Sequence, residues 1–213
     1  MTFIKQRLLA ALSKTDLLAM YALRKHGFLA EVGWFASWRT KQSIDSAGSP
    51  IPWITYPCLS FLSSRIDPQM EVFEFGCGHS TLWWADRVSK VVCCEHDSEW
   101  YGEMKQKVGS NVQLELKHLD DGYAGFIEQF PHRFHIVIVD GRDRVTCIKH
   151  SLGSLAPDGI LLLDNSERTQ YLPGIEFLVR NGFRRLDFEG PGPIVADRWT
   201  TTIFYKRENC LNI

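Results

Sequence analysis

Several groups of residues in this chain have types and spacings that could do chemistry. The first lies in VFEFGCGHSTLWWA (72–85), where Gly76 and Gly78 follow strand-forming residues and precede helix-forming ones. A glycine-rich turn between a strand and a helix lets backbone N–H groups approach a ligand closely. It also serves as a plain tight turn with no ligand. Glu95 closes the next apolar run, and Asp120-Asp121 follow the third. VDGRDR (139–144) and LDNSER (163–168) end two further runs and set out Asp140, Arg142, Asp164 and Asn165.

The glycine loop does not suit a dinucleotide. That fingerprint wants a third glycine three residues after the second, and Thr81 stands there. Glu74, two residues before Gly76, would also set a carboxylate beside an anionic pyrophosphate. S-adenosylmethionine has no phosphate; it carries an ammonium and a sulfonium beside one carboxylate. An acid next to a loop of backbone N–H groups suits that zwitterion. Glu95, at a strand end, could accept from both ribose hydroxyls. Its other reading is a solvated acid capping the next helix.

The elements that must position these groups follow from the patterning. Short apolar runs at 71–76, 91–95, 112–116, 134–140 and 159–164 alternate with helix-sized segments at 79–89, 97–108, 122–130 and 145–154. Such alternation predicts a parallel sheet covered on both faces, with ligands outside the strands' carboxyl ends. A sixth strand near 183–188, the loop EGPGPIVADR and a Thr/Ile/Phe/Tyr-rich strand at 199–206 leave no room for a crossover helix. The last two strands should therefore pair as an antiparallel hairpin.

Upstream, 3–12 and 14–26 read as short amphipathic helices, with Ser13 and Asp16 marking the start of the second and Arg24-Lys25-His26-Gly27 its end. Residues 34–54, with Trp34, Trp38 and Trp53 among Ser, Gly and Pro, read as an aromatic loop, serving either to pack over the sheet end or as a substrate lid. Pro57 opens a helix over 57–66. The fold class is thus α/β, a doubly wound, mostly parallel seven-stranded sheet. Residues 1–56 form a helical, aromatic extension, and 57–213 the ligand-binding domain. Trp83 and Trp84 are adjacent on a helix, so their side chains diverge by ~100° and one at most should be buried.

Glu74-x-Gly76-x-Gly78, Glu95, Asp120-Asp121, Asp140 and LAPDGILLLD (155–164) together resemble class I S-adenosylmethionine-dependent methyltransferases over 57–206. The closing hairpin is similar to that family's as well. The resemblance implies that Glu74, Gly76, Cys77, Gly78 and Ser80 line the methionine end and that Glu95 holds the ribose. It further implies that Asp120 (or Asp121) sits near the adenine amine and that Asp140 faces both cofactor and acceptor; His96 either flanks the adenine or is a surface histidine.

Asp140, Asp164 and Asn165 are also distantly similar to the Mg²⁺-binding set of catechol-type O-methyltransferases, and their oxygens suit that ion. Those enzymes have a lysine three residues after the first acid, where Asp143 stands here, so Mg²⁺ is not the favoured reading. The favoured arrangement is metal-free. Asp140 or Asp164 is the base or orienting acceptor, and Arg142 binds an anionic acceptor or neutralises Asp140. Salt bridges among Asp140, Arg142, Asp143 and Arg144 are the structural alternative. Methyl transfer itself needs positioning and at most one base. The function so read is methylation of a small molecule or glycan-type acceptor, at oxygen. A non-catalytic binding protein on the same fold is the competitor.

Bulk composition narrows the partners. A formal net charge of −1 with interspersed signs lacks the basic stripe that nucleic acid demands. No apolar run approaches the ~20 residues of a membrane span. The six cysteines include no C-x-x-C pair, which reads as reduced thiols in a cytoplasmic protein rather than a disulfide framework or zinc site.

Overall fold

The computed structural model describes residues 15–213. The helix expected over 3–12, and Ser13, lie outside the described residues. Among the described residues four helices precede the sheet: α1 (Asp16–Lys25), α2 (Phe28–Glu31), α3 (Trp34–Thr40) and α4 (Tyr56–Ser63). Then come β1 (Glu71–Phe75), α5 (His79–Ala85), β2 (Lys90–Glu95), α6 (Ser98–Lys105) and β3 (Val112–Leu116). The second half runs β4 (Phe134–Val139), α7 (Arg144–Ser151), β5 (Leu155–Leu163), α8 (Leu172–Arg180), β6 (Arg184–Pro191) and β7 (Arg198–Tyr205). One seven-stranded sheet results, in the order β3-β2-β1-β4-β5-β7-β6. β1 to β5 are parallel, and β7 is antiparallel to both β5 and β6, the hairpin that the missing crossover helix required.

Alternation along the strands builds two cores. Phe73, Phe75, Val92, Cys94, Val137 and Val139 pack on one face with Tyr123 and Phe126. Val72, Val91, Ile136 and Ile138 pack on the other with Trp83, Trp84 and Leu62. Each fully buried side chain of this size contributes about 1.5–3 kcal/mol. This two-faced burial holds the strand ends, and thus the site, in register. All six cysteines are free.

Three expectations are corrected. Residues 34–54 are not wholly loop, because α3 occupies 34–40. Its aromatics recur at helical spacing: the rings of Trp34 and Trp38 stack at 5.2 Å. Gly33 and Lys41, both at positive φ, start and stop it. The helix-sized segment 122–130 is a 3₁₀ helix, Ala124–Gln129, with glycine at 122 and 125 at its entry. Trp83 and Trp84 are both buried in one core cluster, their rings edge-on at 4.8 Å. The Arg87 guanidinium lies 4.2 Å over the Trp83 ring and donates to the Trp83 carbonyl.

Candidate functional site

The first half of the site is the β1–α5 turn. Gly76 leaves β1 at φ +90°, a conformation that L side chains rarely adopt, and donates to the Cys94 carbonyl at 2.8 Å. A Cβ there would also stand 3.4 Å from the Gly141 Cα at the end of β4. Gly78 is extended, and a Cβ on it would meet only the Trp100 ring at 3.9 Å. Its small size therefore keeps the cleft open rather than serving the backbone.

Glu74 sits beneath this turn, 2 % exposed. Ser80 and Thr81, from the first turn of α5, each donate a hydroxyl to one of its two oxygens. Thr81 Oγ1 also accepts from the Gly78 N–H at 2.9 Å. The residue that breaks the dinucleotide pattern is thus the clasp between loop and acid. The sequence reading missed this, although a hydroxyl three residues past an N-cap is a capping signal. Burial pushes the Glu74 carboxyl up to about 7; the two hydroxyls oppose that rise and neighbouring Glu95 adds to it.

Glu95 ends β2 and is 4 % exposed. Its Oε2 accepts from Cys77 N–H at 3.1 Å, and its Oε1 accepts from the His96 and Asp97 N–H groups at 2.8 and 2.9 Å. The solvated-cap reading is therefore wrong: Asp97 caps α6, accepting from Glu99 and Trp100 at 3.0 Å. Trp100 Nε1 donates to the Cys77 carbonyl at 2.7 Å, which pins the loop from the outside. The His96 ring is edge-on to Tyr123 at 6.0 Å. Asp120 and Asp121 lie exposed in the turn after β3 and line neither cleft described below.

The second half is the pair of ends of β4 and β5. Arg144, buried at the start of α7, laces them together. Its Nε donates to the Gly141 carbonyl at 3.1 Å, Nη1 to the Asp164 carbonyl, and Nη2 to the Asp140 carbonyl and Oδ1 at 2.8 and 2.9 Å. The cation that neutralises Asp140 is Arg144 and not Arg142, which is exposed and lines neither cleft. Asp164 is 3 % exposed, and its Oδ1 accepts from Trp199 Nε1 at 2.9 Å and Thr201 Oγ1 at 2.6 Å. Trp199 and Thr201 come from β7, which sequence reading did not connect with the acids. Burial raises both carboxyls, opposed at Asp140 by Arg144 and reinforced at Asp164 by Asp140.

A divalent ion fits this trio poorly. Asp140 and the Asp164 carbonyl already hold a guanidinium, and one oxygen of Asp164 is committed to two neutral donors. Among the described residues no group of three His, Cys, Asp or Glu side chains is placed to hold a metal.

Two clefts open here. One, of about 250 Å³, is lined by Cys77, Gly78, His79, Ser80 and Trp100, with Lys41–Ser43 across from them. The other, of about 490 Å³, is lined by Arg144, Asp164, Asn165, Arg168, Val195 and Trp199. Trp53 and Asp140 line both. The aromatic segment divides its roles. Trp34 packs and donates to the Val195 carbonyl at 2.8 Å, whereas Trp53 stays 47 % exposed over the junction. His79 Nδ1 lies 2.7 Å from the Ser43 carbonyl, fastening the segment to the glycine loop.

No family model matches the chain, and no curated protein does. Solved structures do. A precorrin-6y C5,15-methyltransferase from Geobacter metallireducens GS-15 superposes with a TM-score of 0.59 at 14% identity, over 78% of this chain and 97% of that one. An rRNA methylase from Streptococcus thermophilus gives 0.54 at 15%, over 73% and 100%. The tRNA (m1A58) methyltransferase TrmI from Aquifex aeolicus gives 0.53 at 17%, over 73% and 70%. The likeness is one of fold: this chain has the α/β, Rossmann-like architecture of these methyltransferases.

Proposed function

We propose that the chain is an S-adenosylmethionine-dependent methyltransferase acting on a small molecule or glycan-type acceptor. The observation that carries this is the pair of clefts meeting at Asp140, one floored by the Cys77–Ser80 loop and the other walled by Asp164 and Arg144. In this reading the loop and Glu74 receive the methionine end, and Glu95 offers its remaining acceptor capacity to the ribose. Trp100 flanks the cofactor cleft. The donor supplies an electrophilic methyl on a sulfonium, and the protein's task is to line up an acceptor in Asp140's neighbourhood. Trp53 lies where it would cover that point and exclude water. Residues 1–56 would serve as an extension that completes the cleft, and 57–213 as the catalytic domain.

The formal charge of −1 supports a small acceptor over nucleic acid, although two of the similar structures are named for RNA. The six free thiols support a reducing compartment such as the cytoplasm. Isothermal titration tests the cofactor. S-adenosylmethionine and S-adenosylhomocysteine should bind and NAD should not. The reverse order, or silence from both sulfur ligands, overturns the reading.

A further inference from the structure

We infer that the acceptor is an amine, with its nitrogen held between the carboxylates of Asp164 and Asp140. This rests on the methyltransferase reading and names the acceptor class of the same site.

The argument starts from what Asp164 lacks. Both its side-chain hydrogen bonds go to Oδ1, from Trp199 and Thr201. Its Oδ2 receives no hydrogen bond among the described residues, and the residue lines a cavity of about 490 Å³. Nor does any described cation pair with this carboxylate. Arg144 is turned to the Gly141, Asp140 and Asp164 backbone carbonyls and to Asp140 Oδ1. Arg168 and Arg198, on the cavity's rim, pair with Glu167 at 3.9 Å and Glu189 at 2.8 Å. Asp197 and Glu167 add further negative charge to the lining.

A carboxyl this deep either keeps its proton or, once ionised, needs a cation or a full set of donors. The site provides two donors on one oxygen and none on the other, and the residue borders open volume. An ammonium, with a positive charge and several N–H donors, supplies both missing elements. A hydroxyl supplies one donor and no charge. Asp140 belongs to both clefts, so a nitrogen shared between the two acids would lie on the donor's side of the cavity. Amino sugars and small aliphatic or benzylic amines fit the class.

The step balances without a metal. The bound ammonium gives one proton to the Asp164 carboxylate and becomes a neutral amine. The nitrogen lone pair then forms a bond to the methyl carbon. The carbon–sulfur bond breaks with its pair left on sulfur, so a thioether and a methylammonium leave. The proton on Asp164 returns to solvent. Burial and the neighbouring Asp140 raise the Asp164 carboxyl, which suits it to take a proton from an ammonium better than an ordinary surface acid would.

The test uses the whole chain saturated with S-adenosylhomocysteine, followed by tryptophan fluorescence. It compares matched pairs of probes: glucosamine against glucose, and benzylamine against benzyl alcohol. At least one amine should bind about ten-fold or more tightly than its matched alcohol, the size expected for a hydrogen bond to a charged group. Asp164→Asn, which keeps an acceptor for Trp199 and Thr201, should erase that preference and leave S-adenosylhomocysteine affinity unchanged. Asp140→Asn should weaken the preference as well. Alcohols that bind as well as amines, amines that fail to bind a protein holding S-adenosylhomocysteine, or a preference that survives Asp164→Asn would each overturn the inference. Failure to bind S-adenosylhomocysteine would instead sink the methyltransferase reading.

Discussion

The two halves of the site treat their buried acids in opposite ways. At the cofactor end every acid oxygen is occupied: Glu74 by Ser80 and Thr81, Glu95 by three backbone N–H groups. At the acceptor end Arg144 fastens carbonyls, and one oxygen of Asp164 is left bare. The first end is built as a closed, preorganised mount. The second is rigid in its backbone and incomplete in its side chains, which is what a surface awaiting a ligand's own donors requires. The contrast shows that burial alone does not distinguish the ends, since Glu74, Glu95 and Asp164 are all almost fully covered. The count of satisfied oxygens does.

The comparison can be broken at its rigid end first. Gly76→Val should abolish S-adenosylhomocysteine binding in calorimetry, because a β-branched residue is strained at φ +90° and the loop would have to leave that conformation. Normal binding by a folded variant would make the loop a mere turn. Arg144→Met should come next. It leaves Asp140 unpaired and strips donors from three carbonyls, at a cost of about 3–5 kcal/mol in urea denaturation. Arg142→Ala, on an exposed side chain, should stay within about 0.5 kcal/mol of the wild type. Equal losses for the two arginines would return the acid cluster to a diffuse salt-bridge network.

Glu95→Ala sharpens the closed end. Cofactor affinity should fall by about 1.5–3 kcal/mol, both from the lost ribose acceptor and from the freed Cys77 N–H. Wild-type affinity in that variant would remove the ribose assignment. The last prediction concerns the pH dependence of Glu74. Its carboxyl is raised from 4.5 to about 7 by burial, so the folded state holds a proton that the unfolded chain releases. The stability tied to that proton is complete below pH 4.5 and is lost as pH climbs through about 7. Glu74→Gln cannot ionise, so its stability relative to wild type should rise across that window. A pH-independent difference in urea midpoints would show that Glu74 is not shifted.

The cofactor end was far more legible in the sequence than the acceptor end, and distance along the chain is the reason. Glu74, Gly76, Ser80 and Thr81 fall within one turn, and Glu95 closes the adjacent strand, so patterning alone brought them together. Even there Thr81 registered only as a missing glycine, because its role depends on a hydroxyl's direction. At the other end, Asp140 and Asp164 were visible as strand-end acids, but Arg142 was given the part that Arg144 plays. The two arginines stand only two residues apart; the turn into α7 decides which guanidinium points inward. Trp199 and Thr201 carried no signal, since they look like ordinary strand residues until β7 is placed beside β5. The helix over 34–40 was hidden by breakers downstream of it, although its aromatics already stood at helical spacing.

The position of β7 between β5 and β6 has a consequence for how the molecule comes into being. The groups that hold Asp164 lie 35 and 37 residues further along the chain. During synthesis, strands β1 to β3 and the loop between them can pair as soon as they emerge, because their contacts are close in sequence. The acceptor cavity cannot exist until residue 201 has emerged and β7 has inserted beside β5. Until then Asp164 stands at the bare edge of a half-built sheet, with neither Trp199 nor Thr201 to hold it. A nascent chain therefore has the parts of the cleft beside Gly78 well before it has the cavity beside Asp164.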